Sequence, residues 1–282
     1  AAAAAAALAA RGAEGGGGAG APKAKFTVLA RYPHQTTCFT EGLFLHGTAS
    51  SGEPEVFESC GLYGRSYLRR YALGSGETRS QTAVPAEIFS EGLALLGTSL
   101  YMLMYHGGQI VEYDSATWAE VRRHPFPYGE GWGLTTDGCD LLATTGSPYL
   151  YRLRPDAAGT LQLERRVEVT AFGRSIRMLN EVEYVTPYVW VNVWHTNRLL
   201  RVDPHTGVAD LQLDLTGLHM WRGEATPNGI AYSPSLGPTS LLVTGKLWPQ
   251  MFLLNLSAAD LCGHGAAGGA APPDPSARPC SR

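Results

Sequence analysis

Five short, related groups of residues recur along this 282-residue chain at nearly one interval. Phe39-Thr40-Glu41-Gly42-Leu43, Phe89-Ser90-Glu91-Gly92-Leu93, Gly131-Trp132-Gly133-Leu134, Leu179-Asn180-Glu181 and Pro227-Asn228-Gly229-Ile230 each set a polar or aromatic residue just ahead of an apolar run. From Glu41 through Glu91, Trp132 and Asn180 to Asn228 the steps are 50, 41, 48 and 48 residues. Short β-branched and aromatic runs bounded by Gly, Pro, Asp and Ser fill the intervals, and capped helical patterns are scarce. A period of this length in such a chain is the mark of four-stranded propeller blades.

Written one under another, the repeats supply the strands. The first follows each anchor, as in GLFLHG or GLALLG, and the second is EVFES, SLYMLMY, DLLATTG, YVWVNVW or SLLVTG. The third alternates large apolar and polar residues, as in QIVEYD and RLLRVDP, which suits a half-buried strand. The fourth is TRSQTAV, AEVRRHPF, LQLERRVEV or VADLQLDL. The last repeat lacks a fourth strand, while Lys25–Tyr32 is a strand with no repeat of its own. The expectation is all-β: a five-bladed β-propeller whose N-terminal strand completes the last blade and removes two exposed sheet edges.

The propeller domain is expected to span residues 25–257. Residues 1–24 are Ala/Gly-rich and read as a disordered leader or the tail of a signal segment; residues 258–282, rich in Gly and Pro, read as a disordered tail. No internal run reaches the roughly 18 apolar residues of a membrane helix. The net charge of -3 offers no basic face, so nucleic-acid binding is not expected. Cysteines stand at 38, 60, 139, 262 and 280 without a C-x-x-C pair. Cys262 and Cys280 are candidates for a disulfide, and Cys38 and Cys60 for buried thiols; spacing leaves both questions open.

Innermost strands of a propeller start at one mouth of the channel, so the anchors converge on one pocket. Second-strand ends add Tyr105, Trp194 and Lys246. The expected pocket holds Glu41, Glu91, Trp132, Asn180, Trp194, Asn228 and Lys246, with Phe39 and Phe89 beside the two glutamates. Asn228 has a second reading, bonding the backbone of a neighbouring blade. Lys246, if buried, needs a carboxylate or a ligand. Glu181 and Glu183 read as bracing acids, and His106, His195 and His219 as rim or structural residues. Motifs for a serine nucleophile, a phosphate loop or a calcium loop are missing from the sequence. What remains is a carboxylate among aromatic rings with amide and ammonium donors nearby. Desolvation suits such a glutamate to take and return a proton near neutral pH.

FTEGL, ESCGLYGRS, FSEGL, GEGWGLTTDG, RMLNEVEY, VWVNVWHT, NGIAY and VTGKLWP, taken in order from about Phe26 to Leu256, resemble the plant and bacterial glutaminyl-peptide cyclotransferases. The resemblance implies a five-bladed propeller that closes N-terminal glutamine of peptides and proteins to pyroglutamate and releases ammonia. It assigns the acid/base role to Glu91 and pocket roles to Phe39, Trp132, Asn180, Trp194 and Lys246. Lys246 or Asn180 would steady the oxyanion. No cofactor or metal is implied, nor any partner beyond the peptide substrate; a monomer in the secretory pathway or outside the cell is expected. The sequence departs from the family at Glu41, where Gln is frequent, at Ser90 for Gly and at Tyr105 for Trp. A metal-dependent propeller lactonase and a non-catalytic peptide-binding propeller are the alternative readings.

Overall fold

The computed structural model describes residues 22–48 and 52–263, and among them the main strands fall into five sheets. The first contains Thr40–Thr48, Pro54–Cys60, Tyr67–Ala72 and Thr78–Ala83, in chain order and antiparallel. The second contains Ser90–Leu96, Ser99–Met104, Gln109–Asp114 and Glu120–Pro125. The third contains Leu134–Thr136, Leu141–Ala143, Tyr149–Pro155 and Leu161–Glu168. The fourth contains Leu179–Val185, Tyr188–Val193, Arg198–Val202 and Val208–Asp214. The fifth joins Pro227–Ala231, Ser240–Gly245 and Gln250–Asn255 to Thr27–Pro33, with Val28 opposite Leu254. The fold is an all-β propeller.

Leading strands of successive sheets pack side by side, and that of the fifth sheet packs on that of the first. Position within the sheet sets the composition. Leu179–Val185 is buried throughout, whereas the outer strand Thr78–Ala83 is mostly exposed. The core is divided into layers between neighbouring sheets. Leu68, Val84 and Phe57 of the first sheet meet Leu93, Met102 and Val111 of the second. Tyr71 and Val56 on its other side meet Leu242 and Met251 of the fifth.

The glycine after an anchor is a steric requirement. A Cβ on Gly92 would lie 2.2 Å from the Leu134 nitrogen, and one on Gly42 would lie 2.4 Å from the Leu93 nitrogen. Neighbouring leading strands approach too closely there for any side chain. The Gly92 N–H instead donates to the Trp132 carbonyl at 2.6 Å. The repeat of anchor plus glycine is thus the repeat of strand contact around the channel mouth.

Two boundaries need correction. Lys23 and Ala24, expected in the leader, form a strand parallel to the outer strand of the fourth sheet, opposite Gln212 and Leu213. Main-chain pairing at a free sheet edge is nearly indifferent to side chain, so composition misses it. Ala258–Cys262, expected in the tail, is a short helix. Its Ser257 cap accepts from the Asp260 N–H at 3.0 Å, and Trp190 Nε1 donates to the Leu261 carbonyl at 3.2 Å. Leu261 and Cys262 are buried between the fourth and fifth sheets. Ser257→Ala is expected to lower stability by about 1 kcal/mol in denaturant unfolding. The rest of the expected leader, 1–21, and tail, 264–282, lies outside the described residues.

The cysteines are also corrected. Cys38 and Cys60 are joined in a disulfide with Cα atoms 5.0 Å apart, because the register that sets Thr40 opposite Cys60 brings Cys38 to it. Cys262 is a free buried thiol turned into the core, so it does not pair with Cys280. Among the described residues no helix is long and apolar enough to cross a membrane.

Candidate active site

The anchors meet at one end of the channel, around a cavity of about 400 Å3. Glu41, Glu91, Trp132 and Asn180 reach it from leading strands, and Tyr105, Trp194 and Lys246 from second-strand ends. Backbone contacts fix their starting points. The Glu91 carbonyl accepts from Ser59 Oγ at 2.5 Å, and the Asn180 carbonyl accepts from Thr144 Oγ1 at 2.7 Å. Lys246 N–H donates to the Thr226 carbonyl, and Leu247 N–H to the Cys38 carbonyl.

Two buried carboxyl groups share the cavity floor. Glu41 is 1% exposed and Glu91 is 4% exposed. Lys246 Nζ donates to Glu41 Oε1 at 2.8 Å, and Asn228 Nδ2 donates to Glu41 Oε2 at 3.0 Å. The Glu41 and Glu91 carboxyl groups are hydrogen-bonded to each other. Burial pushes Glu41 above the usual carboxylate range, and the Lys246 ammonium opposes it. Glu91 is pushed much further, by burial first and then by the Glu41 charge. The ammonium and the amide both favour charge on Glu41. Lys246 Nζ also lies 4.4 Å from the centre of the Phe39 ring, a cation–π contact.

Aromatic rings form the walls. Trp132 and Trp194 meet edge to face with centroids 5.2 Å apart. Phe89 contacts Phe39, Tyr63 and Tyr105 at 6.2, 5.4 and 5.4 Å. Two polar atoms on cavity-lining side chains, Asn180 Oδ1 and Trp194 Nε1, have no hydrogen-bond partner among the described residues.

Nine of the ten expected site residues line this cavity: Phe39, Glu41, Phe89, Glu91, Tyr105, Trp132, Asn180, Trp194 and Lys246. Asn228 does not. It is fully buried behind Glu41, and its amide spans the Thr40 carbonyl (2.8 Å) and the Glu41 carboxylate. It is a positioning residue because its strand sets it one layer below the floor. The sequence reading missed Leu62, Tyr63, Arg65 and Glu224. The first three follow the second strand of the first sheet, the same position that yielded Tyr105 and Lys246, so that rule finds them once applied to this repeat. Glu224 stands in the loop between the fourth and fifth sheets and carries no periodic signal. His195 Nε2 lies 3.8 Å from Glu224 on the rim, as does His106 Nδ1 from Glu130.

A second buried network braces the floor from below. Arg69 Nη2 and Nε donate to Glu58 Oε2 at 2.6 and 2.9 Å, and His34 Nε2 lies 2.8 Å from Glu58 Oε1. Thr40 Oγ1, next to Glu41, donates to the same carboxylate, and His34 Nδ1 meets the Trp248 carbonyl at 2.6 Å. Burial pushes Glu58 up, but the His34 and Arg69 charges and these hydrogen bonds outweigh it and leave its carboxyl at about 2. His34, Cys38 and Glu58 present ligand atoms within 4.8 Å of one another. The Cys38 sulfur is committed to its disulfide and Glu58 to Arg69, so this trio is an ion-pair network and not a donor set for a metal.

Fold and site together define an all-β propeller enzyme with two buried glutamates in an aromatic pocket at one channel mouth. The profile of the glutamine cyclotransferase family matches residues 1–256. A glutaminyl-peptide cyclotransferase of Arabidopsis thaliana is 34% identical over 238 residues, covering 82% of this chain and 71% of that protein. The crystal structure of Myxococcus xanthus glutaminyl cyclase superposes with a TM-score of 0.73 at 30% identity, over 84% of this chain and 98% of that one. The chain belongs to the glutamine cyclotransferase family.

Proposed function

We propose that the protein converts N-terminal glutamine of peptides and proteins to pyroglutamate, with Glu91 as the proton carrier. The observation that carries this reading is the buried Glu91 carboxyl on the floor of a cavity walled by Trp132, Trp194 and Phe89. The neutral α-amine attacks the side-chain carboxamide carbon. A C–N bond forms and the carbonyl electrons move onto oxygen. Glu91 exchanges protons between the new ring nitrogen, which gives one up, and the departing nitrogen, which receives one and leaves as ammonia while the carbonyl reforms. Asn180 Oδ1 is an acceptor and Trp194 Nε1 a donor, the complement of a primary carboxamide. Trp194 Nε1 takes the oxyanion, a role expected for Lys246 or Asn180, because the Lys246 ammonium is engaged on Glu41.

The ring of leading strands and the pairing of Thr27–Pro33 with Gln250–Asn255 support a five-bladed propeller closed by its N-terminal strand. The Cys38–Cys60 disulfide supports work in an oxidising compartment, the secretory pathway or outside the cell. We take the working form to be a monomer whose folded unit includes Lys23–Ala24 and Ala258–Cys262.

The test is ammonia release from a Gln-initiated peptide, with an Nα-acetylated peptide as control. Release from the free peptide alone is expected; none from either overturns the reading. Trp194→Phe keeps the wall and removes the donor, and is expected to lower kcat by about 10² with little change in KM.

A further inference from the structure

The family pattern has Gln where this chain has Glu41, and the structure makes that difference chemical. We propose that Glu41 is a positioning residue that places the working proton on Glu91: its carboxylate, clamped by Lys246 and Asn228, accepts the Glu91 O–H and leaves Glu91 as the carboxylic acid. This deepens the proposed reaction and rests on it for the use made of the proton.

Both Glu41 oxygens are occupied, Oε1 by Lys246 at 2.8 Å and Oε2 by Asn228 at 3.0 Å. Asn228 Nδ2 is a donor and cannot stabilise a protonated Glu41 by accepting. Among the described residues no cation forms an ion pair with Glu91, whereas Lys246 forms one with Glu41. The groups that face it are Glu41 from the first sheet, Lys246 from the fifth, Glu130 from the loop ahead of Trp132, and the phenols Tyr63 and Tyr105. Glu224 adds a further negative charge near Glu41. Of these groups only Lys246 favours an ionised carboxyl, and its ammonium is hydrogen-bonded to Glu41. One negative charge and one proton are therefore divided unequally between two adjacent carboxyls.

The consequence is an order of events. Glu91 enters with its proton, which passes to the departing nitrogen as that C–N bond breaks. Glu91, now a carboxylate, recovers a proton from the ring nitrogen formed by the α-amine. The net change is one ammonia out and one ring closed, with Glu91 restored. A glutamine at position 41 would offer Glu91 no anion, and Lys246 would then turn to Glu91 and hold it ionised.

Infrared difference spectroscopy across a pH titration reads the carboxylic-acid band of Glu91 without needing turnover. At pH 7 the band is expected in the wild type, lost in Glu91→Gln and lost in Glu41→Gln. Lys246→Met is expected to keep it. The alkaline limb of kcat, set by loss of the Glu91 proton, is expected to move down by about 1–3 pH units in Glu41→Gln and not to fall in Lys246→Met. Circular dichroism checks that each variant is folded; if Glu41→Gln does not fold, the Lys246→Met band decides. A band that persists in Glu41→Gln, or is absent from wild type, or disappears in Lys246→Met, overturns the assignment. A wild type that shows the band yet releases no ammonia from Gln-initiated peptides sinks the proposed reaction and leaves the proton placement standing.

Discussion

Glu91→Gln is expected to lower kcat for cyclisation by about 10²–10⁴-fold, the usual contribution of a positioned acid/base group. The substitution keeps the shape of the side chain and its ability to donate to Glu41, so the aromatic walls stay in place and KM should move little. Stability should not fall. A carboxyl held above its ordinary value by burial is penalised as pH rises from its unfolded towards its folded value, and a neutral amide removes that penalty. The variant is therefore expected to melt at or above the wild-type temperature at pH 7 while losing ammonia release. Full turnover in a folded Glu91→Gln protein would remove Glu91 from the mechanism.

Arg69→Met is expected to cost about 3–5 kcal/mol of unfolding free energy at pH 7, because it strips a doubly hydrogen-bonded guanidinium from a fully buried Glu58. The pH dependence has a definite sign. Glu58 sits at about 2 in the folded protein against 4.5 ordinarily, so its stabilisation is present above pH 4.5 and is lost as pH falls through 2. That loss is worth about 3 kcal/mol. In Arg69→Met the folded value rises, so this acid-side loss shrinks and is complete at higher pH. Denaturant midpoints at pH 7 and pH 3 check both statements: the gap between wild type and variant should narrow at pH 3. An equal gap at both would mean that Glu58 is not the group through which Arg69 acts.

Much of this was legible in the chain. The anchor period located every leading strand, and the alternation in VADLQLDL located an outer one, whose residues alternate between buried and more exposed. Convergence of strand starts then placed Glu41, Glu91, Trp132 and Asn180 around one cavity. The misses have physical causes. Asn228 shares the period but sits one layer down, and depth within a channel leaves no mark on spacing. Glu224 comes from an aperiodic loop. Lys23–Ala24 joined a sheet through main-chain hydrogen bonds, which any residue but proline supplies. Ala258–Cys262 was read by its Ala/Gly surroundings, although a helix needs only the Ser257 cap and an apolar patch such as Trp190 to dock on. The disulfide followed from register, which two cysteines 22 residues apart do not reveal.

The Lys246–Glu41 pair joins residues 205 positions apart, and Thr27–Pro33 lies in one sheet with Gln250–Asn255. On a ribosome the chain appears from its N-terminus, so Glu41 and Glu91 are made long before their cation. A growing chain that ends before Lys246 has two adjacent glutamates without the ammonium that distinguishes them, and Thr27–Pro33 has no partner. Chemical competence therefore waits until the fifth sheet has been made. Any truncation within the final sheet should silence the enzyme even where most of the pocket is already built.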